Sequence, residues 1–194
     1  MRSRDHRVDD ALELVAEIHA QVARGAFYRG YRAAPVAAMG GLALLAAIVQ
    51  SFATPEHAQA FAAQWIGVAI VSCVIVSLDL AARWKDIRGR DTSRALGQIL
   101  PALAVGLALT FVLWERAEVL PGVWSMVFGL GVLASSPFLP RAILGVALFY
   151  VIAGAAMAFG AEPGTVPSPW GMGLTFGAGQ LVTAAALHHG EDPS

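Results

Sequence analysis

Cysteine is nearly absent from this 194-residue chain, whose one example, Cys73, lies inside the apolar run VAIVSCVIVSL. A lone thiol excludes an intramolecular disulfide and a Cys-rich metal centre, and this setting suits a small packing residue. Charge is also scarce, at 14% of residues, with 13 basic against 14 acidic side chains and a formal net charge of −1. No nucleic-acid partner is expected from it. Missing too are HExxH, GxSxG, a P-loop and a dinucleotide-binding glycine fingerprint, so hydrolysis of peptides, esters or nucleotides has no recognisable machinery. The balance is against an enzyme, and no catalytic residue is assigned. The first 32 residues hold no apolar signal core, which leaves insertion to an internal helix.

What is abundant is apolar sequence: 57% of the residues are hydrophobic, against about 45–50% in soluble domains, and the mean hydropathy is positive. Six segments, 33–53, 62–82, 96–114, 121–140, 142–160 and 168–187, approach the roughly 20 residues needed to span a bilayer core. The expected fold is an all-α polytopic membrane protein, a compact bundle of six transmembrane helices. In domain terms, 1–32 is a cytoplasmic amphipathic arm, 33–187 the transmembrane unit and 188–194 a short cytoplasmic tail. Pro101, early in the third segment, predicts a mild kink.

The basic residues set direction. Arg24, Arg29 and Arg32 precede the first segment, while Arg83, Lys85 and Arg88 follow the second. Clusters of this kind stay inside, which predicts an inner-membrane protein with both termini in the cytoplasm and makes these six residues contacts for lipid headgroups or a partner. Arg116, in WERAEVLPG, falls on the opposite side. Trp65, Trp84, Trp114, Trp124 and Trp170 sit near segment ends, as rings that prefer the headgroup level do.

Residues 9–28 have a helical period, with Leu12, Leu14, Val15, Ile18 and Val22 assigned to one side and Glu13, Glu17, Gln21 and Arg24 to the other. His19 falls in the apolar sector. With His188, His189 and Glu191 near the other terminus, it forms a candidate metal or ligand set, since neutral imidazoles and carboxylates suit zinc or a related divalent ion. The fold-back of the arm that would unite them is an expectation, as is a sixth helix ending at His188. The cofactor, if any, is unknown from sequence.

Polar groups within the segments form a candidate cavity: Asp79, Gln98, Tyr150, Gln180 and Thr183. Each needs a partner in hydrocarbon, and the same residues serve as interhelical glue in the simpler reading. For Asp79 the simplest partner is Arg83, one turn on. Gly173 and Gly177 in GMGLTFGAG form a small-x-x-x-small pair suited to close helix contact within a bundle or a homodimer.

Three functions follow. The first is a non-catalytic regulatory, organising or partner-binding role at the cytoplasmic membrane face, with membrane lipids and a membrane-protein partner or second copy as ligands. The others are a small-solute or ion transporter and a histidine-based metal or cofactor protein.

Overall fold

The computed structural model describes residues 33–82, 90–135 and 141–191, with side chains at 33–82, 100–135 and 143–188. The arm at 1–32, including His19, Arg24, Arg29 and Arg32, lies outside the described residues, as do Arg83, Lys85 and Arg88. Six α-helices follow in order: α1 (Ala33–Phe52), α2 (Ala58–Ala82), α3 (Arg90–Val112), α4 (Leu120–Ser135), α5 (Arg141–Phe159) and α6 (Pro169–Glu191). A 3-10 turn, Trp114–Val119, joins α3 to α4.

The helices start where proline fits. Pro169 opens α6 and Pro121 is the second residue of α4, positions whose backbone N–H has no helical acceptor to lose. Pro101 lies inside α3, and the helix continues past it. Arg116, at φ −119° and ψ 44°, interrupts the turn between α3 and α4.

The expectation of six membrane spans is corrected. Among the described residues, three stretches are long and apolar enough to cross a membrane: Ala33–Phe52, Ala58–Ala82 and Trp114–Ser135, the last uniting the 3-10 turn with α4. In α3 the apolar part is Leu100–Val112, behind a polar RDTSR start, and in α5 it is Ile143–Phe159. At 1.5 Å per residue these cover only about 20 and 25 Å of a hydrocarbon core about 30 Å thick. Glycines, Thr175, Gln180, Thr183 and His188 dilute α6. Six helices are present, but three of them have an apolar part too short or too diluted by polar and small residues to count as a span.

Packing is led by two pairs, α1 with α6 and α4 with α5. Contact between α5 and α6 joins the pairs, α3 lies against α4, and α2 reaches α1 and the 3-10 turn. On α1 the buried residues are Val36, Gly40, Ala43, Ala47 and Gln50, a spacing of three and four that makes one narrow stripe. Gly173 and Gly177 turn toward that stripe: a Cβ added to Gly173 would lie 2.3 Å from Ala47 Cβ, and one on Gly177 2.6 Å from Leu44 Cγ. These two glycines therefore face a helix of their own chain.

Candidate functional site

The helix that stands apart is α2. Its buried residues are Ala58, Phe61, Ala62 and Trp65, all in the first two turns. Phe61 and Trp65 pack with Ala43, Ala47 and Met172, while Ala58 and Ala62 pack with Ala117 and Leu120. The base of α2 thus sits in a corner between α1, α6 and the start of α4. Trp65 is 4% exposed, so its ring belongs to the core of the bundle.

A polar clamp holds this base. The Trp65 indole Nε1–H donates to Gln50 Oε1 at 2.8 Å, and Gln50 Nε2 donates to Gln64 Oε1. Gln50 is buried and Gln64 exposed. Neutral amides suit the position, because a buried donor or acceptor must be paired and an ionised group would cost far more. Nearby, Gln59 Nε2 donates to the Trp114 carbonyl at 3.4 Å, and Arg116 pairs with the buried Glu118 at 2.9 Å. Removing the Gln50 amide strands the indole N–H. Gln50→Ala is therefore expected to cost about 1–3 kcal/mol, read as a lowered midpoint of thermal unfolding in detergent; an unchanged midpoint would show that the clamp is dispensable.

Beyond Trp65, α2 has no buried residue. Ile70, Val71, Val74 and Leu78 are each about half exposed or more, at 59%, 48%, 50% and 65%, and Cys73 is exposed among them. Residues 70, 74 and 78 advance 40° per step and 71 lies 100° from 70, so the four form one broad outward face, while Val68 on the other side packs against the core. An apolar face left outside a core needs lipid or another protein as its surroundings.

The other expected site residues are scattered. Asp79 is half-buried near the end of α2. Tyr150 is 1% exposed in the core, and its ring meets Phe128 and Phe176 at centroid distances of 5.0 and 5.3 Å. Thr183 Oγ1 donates to the Gly179 carbonyl at 2.8 Å, and Gln180 lies at the α1–α6 seam, with its Cβ 3.1 Å from where a Gly40 Cβ would stand. Tyr150 and Thr183 thus both reach Gly179 of α6, whereas Gln180 turns to α1 and Asp79 lies on α2. Gln98 lies in α3, its side chain outside the described residues.

His188 is exposed, and α6 continues through it to Glu191, so the helix does not end where the sequence predicted. The side chains of His189 and Glu191 lie outside the described residues. Among the described residues, no three His, Cys, Asp or Glu side chains are grouped to hold a metal ion.

Sequence reasoning passed over Gln50 and Gln64, although a signal was present. Each is a lone amide inside an apolar segment, and they flank the short turn at residues 53–57, where hairpin geometry brings the last turn of one helix beside the first of the next. Compared with known proteins, the chain matches no protein-family model, no curated protein and no solved structure.

Proposed function

We propose that this chain is an inner-membrane protein with a non-catalytic organising or partner-binding role, in which the outlying part of α2 is the contact surface. The observation that carries the reading is that α2 is clamped at its base and, beyond it, turns one broad apolar face, Ile70, Val71, Val74 and Leu78, away from the core. A partner's membrane helix is its natural neighbour.

Sidedness has independent support. Two successive helices able to cross, α1 and α2, return the chain to one side, so segments 1–32 and 83–89 share a face. Their Arg24, Arg29, Arg32, Arg83, Lys85 and Arg88 favour the cytoplasm and anionic headgroups. Val36, at the start of α1, shares a cluster with Leu187, near the end of α6, which supports assigning the C-terminal end to that same face. The close approach of backbones along α4 and α5, where a Gly122 Cβ would lie 2.5 Å from the Gly154 carbonyl, favours a scaffold over a solute path.

The single native cysteine makes the test direct. Cys73 shares a helix face with Ile70, Val74 and Ser77, and carries a photo-reactive maleimide without any added substitution. Irradiation in native membranes is expected to yield one discrete protein adduct that disappears in the Ile70→Ala/Val74→Ala double variant. Adducts with lipid alone would sink partner binding; solute flux in proteoliposomes would favour transport instead.

A further inference from the structure

Hydroxyls on the helices use their own backbone. Ser72, Thr110, Ser135 and Thr183 each donate to the carbonyl four residues earlier, at 2.9, 2.7, 3.0 and 2.8 Å, the usual way for a helix to satisfy such a group in an apolar setting. Ser125 departs from this pattern. It is 0% exposed, and its Oγ, like the Tyr150 hydroxyl, has no hydrogen-bond partner among the described residues.

The two belong to one region of the core. Gly122 and Gly129 bracket Ser125 on α4: a Cβ on Gly122 would meet the Gly154 carbonyl at 2.5 Å, and one on Gly129 would meet Tyr150 Cβ at 2.9 Å. Ser125 lies between these contacts on the same helix face, so it is opposite the 150–154 stretch of α5. From there the Tyr150 ring extends to α6, where its hydroxyl would be 2.4 Å from a Cβ on Gly179. Phe128 and Phe176 flank that ring, and they offer no conventional hydrogen bond.

We propose that Ser125 and Tyr150 form an internal hydration site, one water or a short string of two, shared between α4, α5 and α6. Each hydroxyl can donate and accept, and a buried water takes two to four polar partners of this kind. Helix carbonyls along the same walls supply second lone pairs. The guest is neutral, in keeping with the aromatic rings of Phe128 and Phe176 against Tyr150. It would fix the register of α4 and α6 on α5 through directional bonds that the glycine contacts lack.

The test is a double-mutant cycle with Ser125→Ala and Tyr150→Phe, each removing one oxygen and little volume. For a shared site each change lowers the unfolding midpoint by about 2–6 °C, and the double variant loses clearly less than the sum. Midpoints that stay level or rise, as they would on removing a hydroxyl that is truly unpaired, overturn the proposal; so do losses that simply add. Should either variant fail to fold, a high-resolution experimental map of the unaltered protein decides: solvent density within hydrogen-bond reach of both Ser125 Oγ and Tyr150 Oη supports the site, and a dry contact there overturns it.

Discussion

Gly122→Ala is expected to destabilise the protein by about 1–3 kcal/mol or more, the range for forcing atoms into a filled core. The reason is what the new methyl would meet. Its position is 2.5 Å from both the Ala158 backbone nitrogen and the Gly154 carbonyl oxygen, atoms of helix α5 that cannot rotate away. The facing residue is equally constrained, since a Cβ on Gly154 would be 2.7 Å from the Gly122 carbonyl and the Met126 nitrogen. Either substitution has to push α4 and α5 apart along one of the two main seams of the bundle. Gly145→Ala, also on α5, is the control: nothing lies within 4 Å of its Cβ position, so the better helix propensity of alanine should leave stability level or slightly raised. Thermal unfolding in a mild detergent compares them, and equal midpoints for the Gly122 and Gly145 variants would refute the seam.

Gly173→Ala is expected to have an effect of similar size at the other seam. The added methyl would fall 2.3 Å from Ala47 Cβ, an atom fixed to the backbone of α1. Gly177→Ala is instructive beside it, because its new Cβ meets Leu44 Cγ and Cδ2 at 2.6 and 2.7 Å. A leucine side chain can change rotamer, at about 0.5–1.5 kcal/mol if it is pushed off its well. The Gly173 variant should therefore lose more than the Gly177 variant, while Gly41→Ala, which meets nothing within 4 Å, should lose little. The same order is expected in resistance of the α1–α6 pair to proteolysis or to rising detergent. A reversed order, or a concentration-dependent loss of dimer with no loss of monomer stability, would move these glycines from an internal seam to a contact between copies.

Much of the candidate site was hidden from sequence for reasons visible in particular residues. Trp65 looked like an interfacial anchor because it is near the end of an apolar segment, yet a glutamine 15 positions earlier supplies the acceptor that lets its indole be buried. The small-residue pair Gly173 and Gly177 was plain to see, whereas its partners, Ala47 and Leu44 on α1, were not, since an alanine or leucine carries no mark of what it faces. The polar group Asp79, Tyr150, Gln180 and Thr183 was drawn together by hydropathy alone. Tyr150 and Thr183 both reach Gly179 of α6, Gln180 turns to α1, and Asp79 lies on α2.

The sequence by itself determined that this chain is helical and apolar, and roughly where its helices run: 33–53 and 142–160 were expected where Ala33–Phe52 and Arg141–Phe159 are found. Those properties are local, set by residue hydropathy, by proline at helix starts and by hydrogen bonds four residues apart. Tertiary structure alone decided that α1 pairs with α6 and α4 with α5, and that α2 stands out from the rest. These depend on which backbones can approach closely, and glycine and alanine permit such approach almost anywhere; only the complementary stripe on a helix distant in the chain selects the partner.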